Sequence, residues 1–188
     1  MAGEIQLNGT SFASESGGTI NVNNGTLGSG VVFPTDHVIQ VVTLSTTAQS
    51  SLSNGDEFSS IRKEITPLGT GSRLMITYSL GHVGSSTTVD CGLTPLRSTN
   101  SGSTFTEFYT GSGATGRNVM FSFTNITNGD GNTSSYTLID PGVSTTAGSA
   151  IMYSLKVYAS SGSVYINRRG ADTTNASIST ITIFELAA

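Results

Sequence analysis

Apolar residues recur at every second position in two long segments of the chain, and this period is typical of β-strands. In the first segment, Arg73–Leu80, the apolar row consists of Leu74, Ile76, Tyr78 and Leu80. In the second segment the row consists of Ile151, Tyr153, Leu155, Val157 and Ala159. Strict alternation of apolar and polar positions indicates antiparallel strands that bury one face and expose the other.

Shorter segments with the same alternation, separated by turn signals, continue to the end of the chain. They are Val89, Cys91 and Leu93 before Pro95; Thr104–Thr110; Val119, Phe121 and Phe123; Tyr136 and Leu138 before an Asp-Pro-Gly turn; Val164–Arg168; and Ile178–Leu186, with Ile181 and Ile183 inward. We expect Val164–Arg168 to form a hairpin with the preceding strand across Ser160–Ser163. About eight short strands, spaced roughly 8 to 15 residues apart, predict an antiparallel β-sandwich resembling a jelly roll.

Two segments give weaker signals. The stretch Thr46–Gly55 is polar and predicts a loop ending in an Asn-Gly turn. In Glu57–Thr66 the apolar residues Phe58, Ile61 and Ile65 are spaced more like a helical turn than a strand. We interpret this segment as a strand with a bulge, closed by Pro67 and Gly69.

The densest apolar run of the first third is VVFPTDHVIQVV, from Val31 to Val42. Pro34 interrupts it, and proline favours a strand start or an edge because it lacks an N–H group. His37–Leu44 is expected to be the first strand of the head. Its apolar residues on both faces indicate burial on both sides, either inside the sandwich or at a subunit interface. We therefore place a stem at residues 1–33 and a β-sandwich head at residues 34–188.

The stem contains a weak internal repeat. Ile5 and Leu7 precede one Asn-Gly turn, and Ile20 and Val22 precede another. A single two-stranded hairpin does not bury enough surface to be stable alone, so these positions need the head, another subunit or a different protein as a partner. The alternative is an unstructured terminus. Because the last predicted strand holds the C-terminus in the sheet, the stem is the expected point of attachment.

Composition narrows the classes of protein. Charged residues make up 11% of the 188 residues, against about 25% in an average soluble protein. Low net charge combined with abundant β-branched and aromatic residues favours an ordered β protein over a disordered one. The net charge of −4 argues against nucleic acid as a partner, because phosphate binding requires a basic surface.

The chain also lacks features of secretion and of membrane insertion. It has one cysteine, which excludes an intrachain disulfide, and it has no run of 18 apolar residues. Its first residues lack the basic and apolar regions of a signal peptide, so we expect synthesis without the secretory pathway. The several Asn-X-Ser/Thr sequons are therefore not expected to be glycosylated.

No catalytic residue, metal site or cofactor is predicted. His37 and His82 lie in different segments and form no triad signature. Asn128–Asn132 resembles a fragment of a calcium loop but lacks its ligand alternation and terminal Glu, which favours a surface turn. Cys91 occupies an inward position of a predicted strand and is expected to be a buried, inert thiol.

Two groups of residues are candidates for ligand binding. Arg168–Asp172 (RRGAD) has the chemistry to bind an anion or a carbohydrate, although a solvated hairpin tip is the favoured interpretation. Tyr109, Tyr158 and Tyr165 are candidate sugar-stacking residues, although packing in the core or at an interface is favoured for them.

Several motifs occur in a characteristic order. They are VVFPTDHVIQVV (31–42), ITP (65–67), GSRLMI (71–76), DP (140–141), VYINR (164–168) and ITIFEL (181–186). Over about residues 18–186 this order resembles a family of bacteriophage structural proteins, especially from marine podoviruses and myoviruses. That family usually has Phe-Pro-x-Gly-His-Val-Ile-Gln in the first motif. This chain departs from it with Asp36, where glycine is commoner, so its turn after Pro34 is expected to differ.

The resemblance implies a trimeric, tail-fibre-like or head-decoration β domain without enzymatic activity. It implies a virion component, made in the host cytoplasm, whose partners are its own copies and other proteins of the capsid or tail. In this interpretation three stems bury their apolar positions around an axis and the run at Pro34 joins stem to head. The interface positions are Ile5, Leu7, Ile20, Val22, Phe33 and Val38.

Two other functions remain open at this point. The first is a receptor-binding tail-fibre module that recognises a host surface glycan through loops of the head. The second, which is disfavoured, is an enzyme such as a depolymerase, because the sequence offers no identifiable acid pair for glycoside hydrolysis.

Overall fold

The computed structural model describes residues 4–7, 10–16, 19–22, 34–86, 89–108, 121–126, 132–169 and 172–188. Within these residues the regular elements are strands, apart from one turn of 3₁₀-helix at Ser59–Ile61. Every strand pairing among them is antiparallel. The chain divides into two compact units, residues 1–33 and 34–188. The prediction of an all-β fold is confirmed.

The first unit contains a three-stranded antiparallel sheet in the order β1-β2-β3. Its strands are β1 (Glu4–Leu7), β2 (Thr10–Ser16) and β3 (Thr19–Val22). The expectation of a two-strand unit is wrong, because β2 forms between the two predicted strands. Its sequence, TSFASES, has no alternating apolar row, so its place in the sheet follows from backbone pairing with both neighbours.

The second unit contains two large sheets. The five-stranded sheet consists of β6 (Lys63–Ile65), β8 (Val89–Ser98), β9 (Thr106–Glu107), β10 (Phe121–Ile126) and β12 (Ile151–Ala159). The six-stranded sheet consists of β4 (Val38–Thr46), β5 (Ser50–Leu52), β7 (Arg73–Ser85), β11 (Asn132–Ile139), β13 (Val164–Ile166) and β16 (Ser179–Leu186). A separate ribbon pairs β14 (Arg168–Arg169) with β15 (Asp172–Ala176).

The strand order places β7 and β16 at the centre of the six-stranded sheet. The path runs β4-β16-β7-β13-β5, and β11 pairs with β7 on the edge opposite to β16. In the five-stranded sheet the path runs β10-β8-β12-β6, and β9 also pairs with β8. The core lies between the two sheets, and the Tyr78 hydroxyl of β7 crosses it to donate to the Ser154 carbonyl of β12 at 3.2 Å.

Both long apolar rows predicted from the sequence are buried in this core. The buried positions are Leu74, Ile76, Tyr78 and Leu80 on β7 and Ile151, Tyr153, Leu155, Val157 and Ala159 on β12. Ile181 and Ile183 of β16 are also buried, as expected. The β-sandwich prediction is therefore confirmed, with one inner row contributed by each facing sheet.

The predicted hairpin between β12 and Val164–Arg168 is wrong. β12 pairs with β8 and β6, whereas β13 pairs with β7 and β5 in the other sheet. Residues 160–163 therefore cross between the two sheets. A hairpin partner would need a free edge of β12, but that edge is already occupied: the Phe58 amide donates to the Leu155 carbonyl at 2.8 Å and the Gly55 amide donates to the Val157 carbonyl at 2.9 Å.

Burial of β4 on both sides is also not observed. β4 is an edge strand, and its Val38 and Val41 side chains are 43% and 51% exposed. Val42 and Leu44 pack against the core from its other face. The interpretation as a strand enclosed inside the sandwich is wrong. The alternative, that β4 lies at a subunit interface, remains a prediction.

The segments with weak signals differ from expectation in detail. The predicted loop at 46–55 contains β5, and the predicted bulged strand at 57–66 contains the 3₁₀ turn followed by β6. The helix-like spacing of Phe58, Ile61 and Ile65 reflects this arrangement, because all three side chains are buried in the core. Of the predicted strand 104–110 the structure describes residues 104–108, and among these the two residues of β9 are paired as a strand.

Pro95 lies inside β8 rather than after it. It is paired with Leu155 of β12, and its carbonyl accepts the Phe108 amide at 3.4 Å on the opposite side. β10 pairs with β8 from Val89 to Leu93, and β9 pairs with it at Leu96 and Arg97. The missing N–H of Pro95 therefore falls in the gap between these two partners, where no ladder hydrogen bond is lost.

Candidate functional site

The predicted interface positions are divided between the two units. In the first unit, Ala13 of β2 pairs with Ile5 of β1 and with Val22 of β3, so the backbone register places these positions in one cross-strand row. Leu7 pairs with Thr10 and Ile20 pairs with Glu15. Phe33 lies outside the described residues. Val38 belongs to the second unit, at the start of the edge strand β4.

The outer face of the six-stranded sheet has a regular organisation that the sequence analysis missed. Twelve positions on β4, β16, β7 and β11 form three rows that each cross all four strands. We call this surface the outer face. Its rows are Val41, Phe184, Met75 and Ile139; Thr43, Thr182, Thr77 and Thr137; and Ser45, Thr180, Ser79 and Ser135.

None of the twelve side chains of the outer face carries a charge. Two rows consist entirely of Ser and Thr, and neighbouring hydroxyls in them hydrogen-bond across the strands. Thr43 donates to Thr182 at 3.1 Å, and the hydroxyls of Thr77 and Thr137 are 2.8 Å apart. The third row is apolar, with Ile139 41% exposed at its end. The face is therefore neutral and partly apolar, and its polar groups already have partners.

The sequence does contain a signal for this surface. A hydroxyl residue recurs two positions after another in four strands: TLS at 43–45, TYS at 77–79, SYT at 135–137 and TIT at 180–182. Each triplet alone is unremarkable in a chain so rich in Ser and Thr. Their alignment depends on strand order and register, which alternation does not specify.

Charged groups lie beyond the apolar row of the outer face. Leu186, two residues after Phe184 in β16, is paired with Val38 of β4 on one side and with Arg73 of β7 on the other. The Arg73 guanidinium forms an ion pair with the Asp36 carboxylate. Val38, the predicted interface residue of the head, is thus an exposed position at the rim of the outer face, close to this ion pair.

The head begins with a turn that is bound to the end of β16. The His37 amide donates to the Pro34 carbonyl at 3.0 Å, which closes a four-residue turn. The Asp36 amide donates to the Ala187 carbonyl at 3.0 Å, and the Ala187 amide donates to the His37 carbonyl at 2.8 Å. Asp36 has φ of +68°, a value typical of the third position of a type II turn, where glycine is preferred. The turn thus keeps the backbone conformation that glycine favours, although the residue differs.

Two residues before Ala187, Glu185 of β16 is fully buried and organises the loop between β6 and β7. Its carboxylate accepts the Leu68 amide at 2.9 Å, the Gly69 amide at 2.8 Å and the Ser72 hydroxyl at 2.7 Å. Three donors compensate the cost of burying the charge. The role of Glu185 is structural, because its described partners are groups of the chain itself.

A second buried carboxylate ties the five-stranded sheet to the turn after β11. Asp140 accepts Arg97 at 2.7 Å, the Tyr153 hydroxyl at 2.9 Å and the Gly142 amide at 3.0 Å. Burial and the negative charge of Asp140 raise the pKa of Tyr153 well above its usual range. Because the ring of Phe108 packs edge-on against Tyr153 with centroids 5.5 Å apart, this cluster is closed by side chains of the core.

In the segment predicted as a hairpin tip, Arg168 and Arg169 form β14 and Asp172 begins β15, and these two strands pair as an antiparallel ribbon; residues 170 and 171 lie outside the described residues. The Arg168 guanidinium lies 4.1 Å from the ring centroid of Tyr165. Close to it, His82, Arg169, Ala176 and Ser177 line a pocket of about 200 Å³. His82 lies within β7, which continues beyond the predicted strand Arg73–Leu80 to Ser85. Its Nε2 is buried without a hydrogen-bond partner among the described residues.

Cys91 is a buried structural residue. Cys91 is 2% exposed, and burial together with the neighbouring Asp90 charge raises its pKa to about 12, as expected of an inert thiol. In the part of the chain that the structure describes, no group of three His, Cys, Asp or Glu side chains is placed to hold a metal ion. The positions of Tyr109 and of the loop 128–131 lie outside the described residues.

Comparison with known proteins does not assign the chain to a family. No family profile matches it, and no curated protein matches it. Among the described residues there is no helix long and apolar enough to cross a membrane.

Proposed function

We propose that the protein is a non-enzymatic structural protein of a bacteriophage virion. In this proposal it is a short trimeric fibre, knob or decoration that is appended to the capsid or tail through residues 1–33. The motif order described above, with its Phe-Pro-x-x-His-Val-Ile-Gln element, is the reason for naming a virion. The observation that carries the appendage role is the attachment of the Pro34 turn to the end of β16.

An appendage must transmit force between its point of attachment and its displayed domain. A pull on residue 34 that reached only the edge strand β4 would peel that strand from the sheet. The reciprocal hydrogen bonds of Asp36 and His37 with Ala187 instead share the load with β16, the strand between β4 and β7. The Asp36–Arg73 ion pair adds a connection to β7. The head thus begins at its most extensively paired strands.

The experiment compares the full chain with a chain that lacks residues 1–33. Both are supplied during infection by a phage whose own copy of the gene is deleted, and purified virions are probed by immunogold labelling. We expect the full chain on the virion surface and the truncated chain to be absent from it. Circular dichroism and cooperative unfolding of the purified truncated chain serve as the control for a folded head.

Two results would reject the proposal. One is incorporation of a folded, truncated chain at the level of the full chain, which would exclude attachment through residues 1–33. The other is the absence of the full chain from purified virions. Light scattering of the full chain tests the trimer separately, with about three times the monomer mass of 19.3 kDa expected.

A second function, recognition of a host surface glycan, is favoured by the pocket at His82 and Arg169. Arg169 provides a cation and Ser177 provides a hydroxyl that is held by the His82 amide at 2.6 Å, and such groups bind acidic sugars. A glycan array with the full chain tests this function. Selective binding that Arg169→Ala abolishes and Arg62→Ala preserves would support it, because Arg62 is engaged elsewhere with Glu57.

A further inference from the structure

We propose that the outer face is the surface through which the heads of neighbouring copies contact each other. This inference rests on the proposed trimer and adds to it a second interface, separate from residues 1–33. The occupant is another copy of this chain, and the contact comprises the twelve positions of the outer face, with Val38 at its rim.

Charge is the first argument for a second copy. The chain has a net charge of −4, so identical copies repel one another wherever their charged surfaces approach. The outer face contains no charged side chain on any of its twelve positions. Contact between copies at this face therefore leaves no charge desolvated and brings no like charges into direct opposition. The Asp36–Arg73 ion pair lies outside the apolar row, as expected for a neutral interface with a charged rim.

The chemistry of the rows is self-complementary. A Ser or Thr hydroxyl both donates and accepts, so a surface of hydroxyls satisfies an identical surface. The pairs Ser45–Thr180 and Ser79–Ser135 are 3.0 Å apart, and either hydroxyl of each pair can be the donor. Within each pair one hydroxyl donates to the other, so the second O–H group remains available to donate to a hydroxyl of the other copy. The apolar row, with Val41 51% exposed, supplies hydrophobic area in the same contact.

The size of the face indicates how the contact is made stable. Four strands spaced about 4.8 Å apart and three positions spaced about 6.8 Å apart cover roughly 400 Å². A standard stable interface buries about 800 Å² on each partner. The face alone therefore supports only weak association. When copies are already joined through residues 1–33, each outer face meets its neighbours at an effective concentration in the millimolar range. This concentration is sufficient for a weak contact.

The test measures the protection of a thiol on the outer face of the full chain. Cys91 is the one cysteine of the sequence and is buried, so a cysteine introduced by Thr43→Cys provides a single accessible thiol. Thr43 is exposed in one copy of the chain. Ser51→Cys is the matched control, since Ser51 is exposed on β5 of the same sheet, outside the outer face. The rate of reaction with a bulky maleimide is measured, and light scattering of the same samples gives the mass.

We expect the Thr43→Cys thiol to react at least about tenfold more slowly than the Ser51→Cys thiol. Adding Thr182→Arg at the centre of the face should restore the fast rate. An unpaired charge buried at an interface weakens the contact by more than the roughly 1.4 kcal/mol that corresponds to tenfold protection. Circular dichroism verifies the fold of each variant. Ser135→Arg, at an exposed position of β11, repeats the test if Thr182→Arg unfolds.

The outcomes separate this inference from the proposed trimer. A trimer whose Thr43→Cys thiol reacts as fast as the control rejects the face contact and leaves assembly through residues 1–33 intact. A monomer at high micromolar concentration rejects both the face contact and the trimer formed through residues 1–33. The outer face would then bind a partner other than this chain. A trimer whose protection is lost on Thr182→Arg, with its mass unchanged, supports a head contact that is additional to the one through residues 1–33.

Discussion

The Asp36 carboxylate forms an ion pair with the Arg73 guanidinium while its own backbone has φ of +68°. The backbone value is one that most residues avoid, although Asp adopts it more readily than β-branched or apolar residues. Both side chains are about half exposed, at 55% for Asp36 and 46% for Arg73. The conformation is therefore stabilised mainly by the hydrogen bonds of the turn, because an ion pair so exposed contributes little.

Substitutions at Asp36 should separate the contribution of the backbone from that of the ion pair. Asp36→Gly removes the ion pair but suits the positive φ, so we expect a free energy of unfolding within about 0.5 kcal/mol of the native chain. Asp36→Ala removes the pair and keeps an unfavourable backbone, and should lose about 1 kcal/mol more. Urea unfolding measures both. Arg73→Ala removes the pair alone and should behave like Asp36→Gly; equal stability of the Gly and Ala variants would contradict the backbone argument.

Glu185→Gln should destabilise the head far more than a matched change on the surface. The buried carboxylate accepts hydrogen bonds from the amides of Leu68 and Gly69 and from the Ser72 hydroxyl. A neutral amide weakens these charge-assisted bonds and directs an NH₂ group toward donors, which should cost about 2 to 3 kcal/mol. Glu64→Gln, at an exposed position of β6, should change stability by less than about 0.5 kcal/mol.

Denaturant unfolding measures the two Glu variants, and amide hydrogen exchange locates the effect. We expect exchange at Leu68 and Gly69 to accelerate in Glu185→Gln before exchange in β7 does. Similar stabilities of Glu185→Gln and Glu64→Gln would show that the loop between β6 and β7 is held by other contacts.

The sequence predicts the inner rows of the sandwich well but not its connectivity. Alternation identifies β7, β12 and β16, because one buried face imposes a period of two on the side chains. It does not identify which strand pairs with which. The hairpin expected at Val164 fails because backbone groups near Phe58 already occupy the edge of β12. This contact is made by residues about 100 positions earlier in the chain, so the sequence around Val164 does not reveal it.

The same limit applies to the candidate sites. Val38 was predicted as an interface position from its place in an apolar run, and it lies exposed at the rim of the outer face. The outer face itself was missed, since its rows exist only after four strands align. Glu185 gives no signal of its own in the sequence, because a charged residue in a terminal strand resembles an ordinary solvated position. Its burial depends on a loop more than 100 residues earlier.

Cys91 should be inert in the folded chain and reactive in the unfolded one. Burial, followed by the neighbouring Asp90 charge, raises its pKa to about 12, and the thiolate is the reactive form. A disulfide reagent at pH 8 should modify it fully in denaturant, and in native buffer only at the rate of global unfolding. Cys91→Ser places a hydroxyl in the same buried position and provides a thiol-free baseline. Rapid modification without unfolding would contradict the burial of β8.

Alkaline unfolding should be linked to Tyr78 and Tyr153. Burial, followed by the negative charge of Asp140, raises the pKa of both side chains above the usual range. The unfolded chain therefore releases these protons at lower pH than the folded chain, so stability is intact below about pH 10 and falls as pH rises above it. In an absorbance titration, tyrosinate formation at these residues should coincide with unfolding.

Tyr153→Phe should reduce the absorbance step that accompanies unfolding. It should also cost about 1 kcal/mol at neutral pH, since the hydroxyl that donates to Asp140 is lost. Tyr136→Phe, at a residue 37% exposed, should leave the unfolding-linked step unchanged; an equal reduction by both variants would refute the assignment.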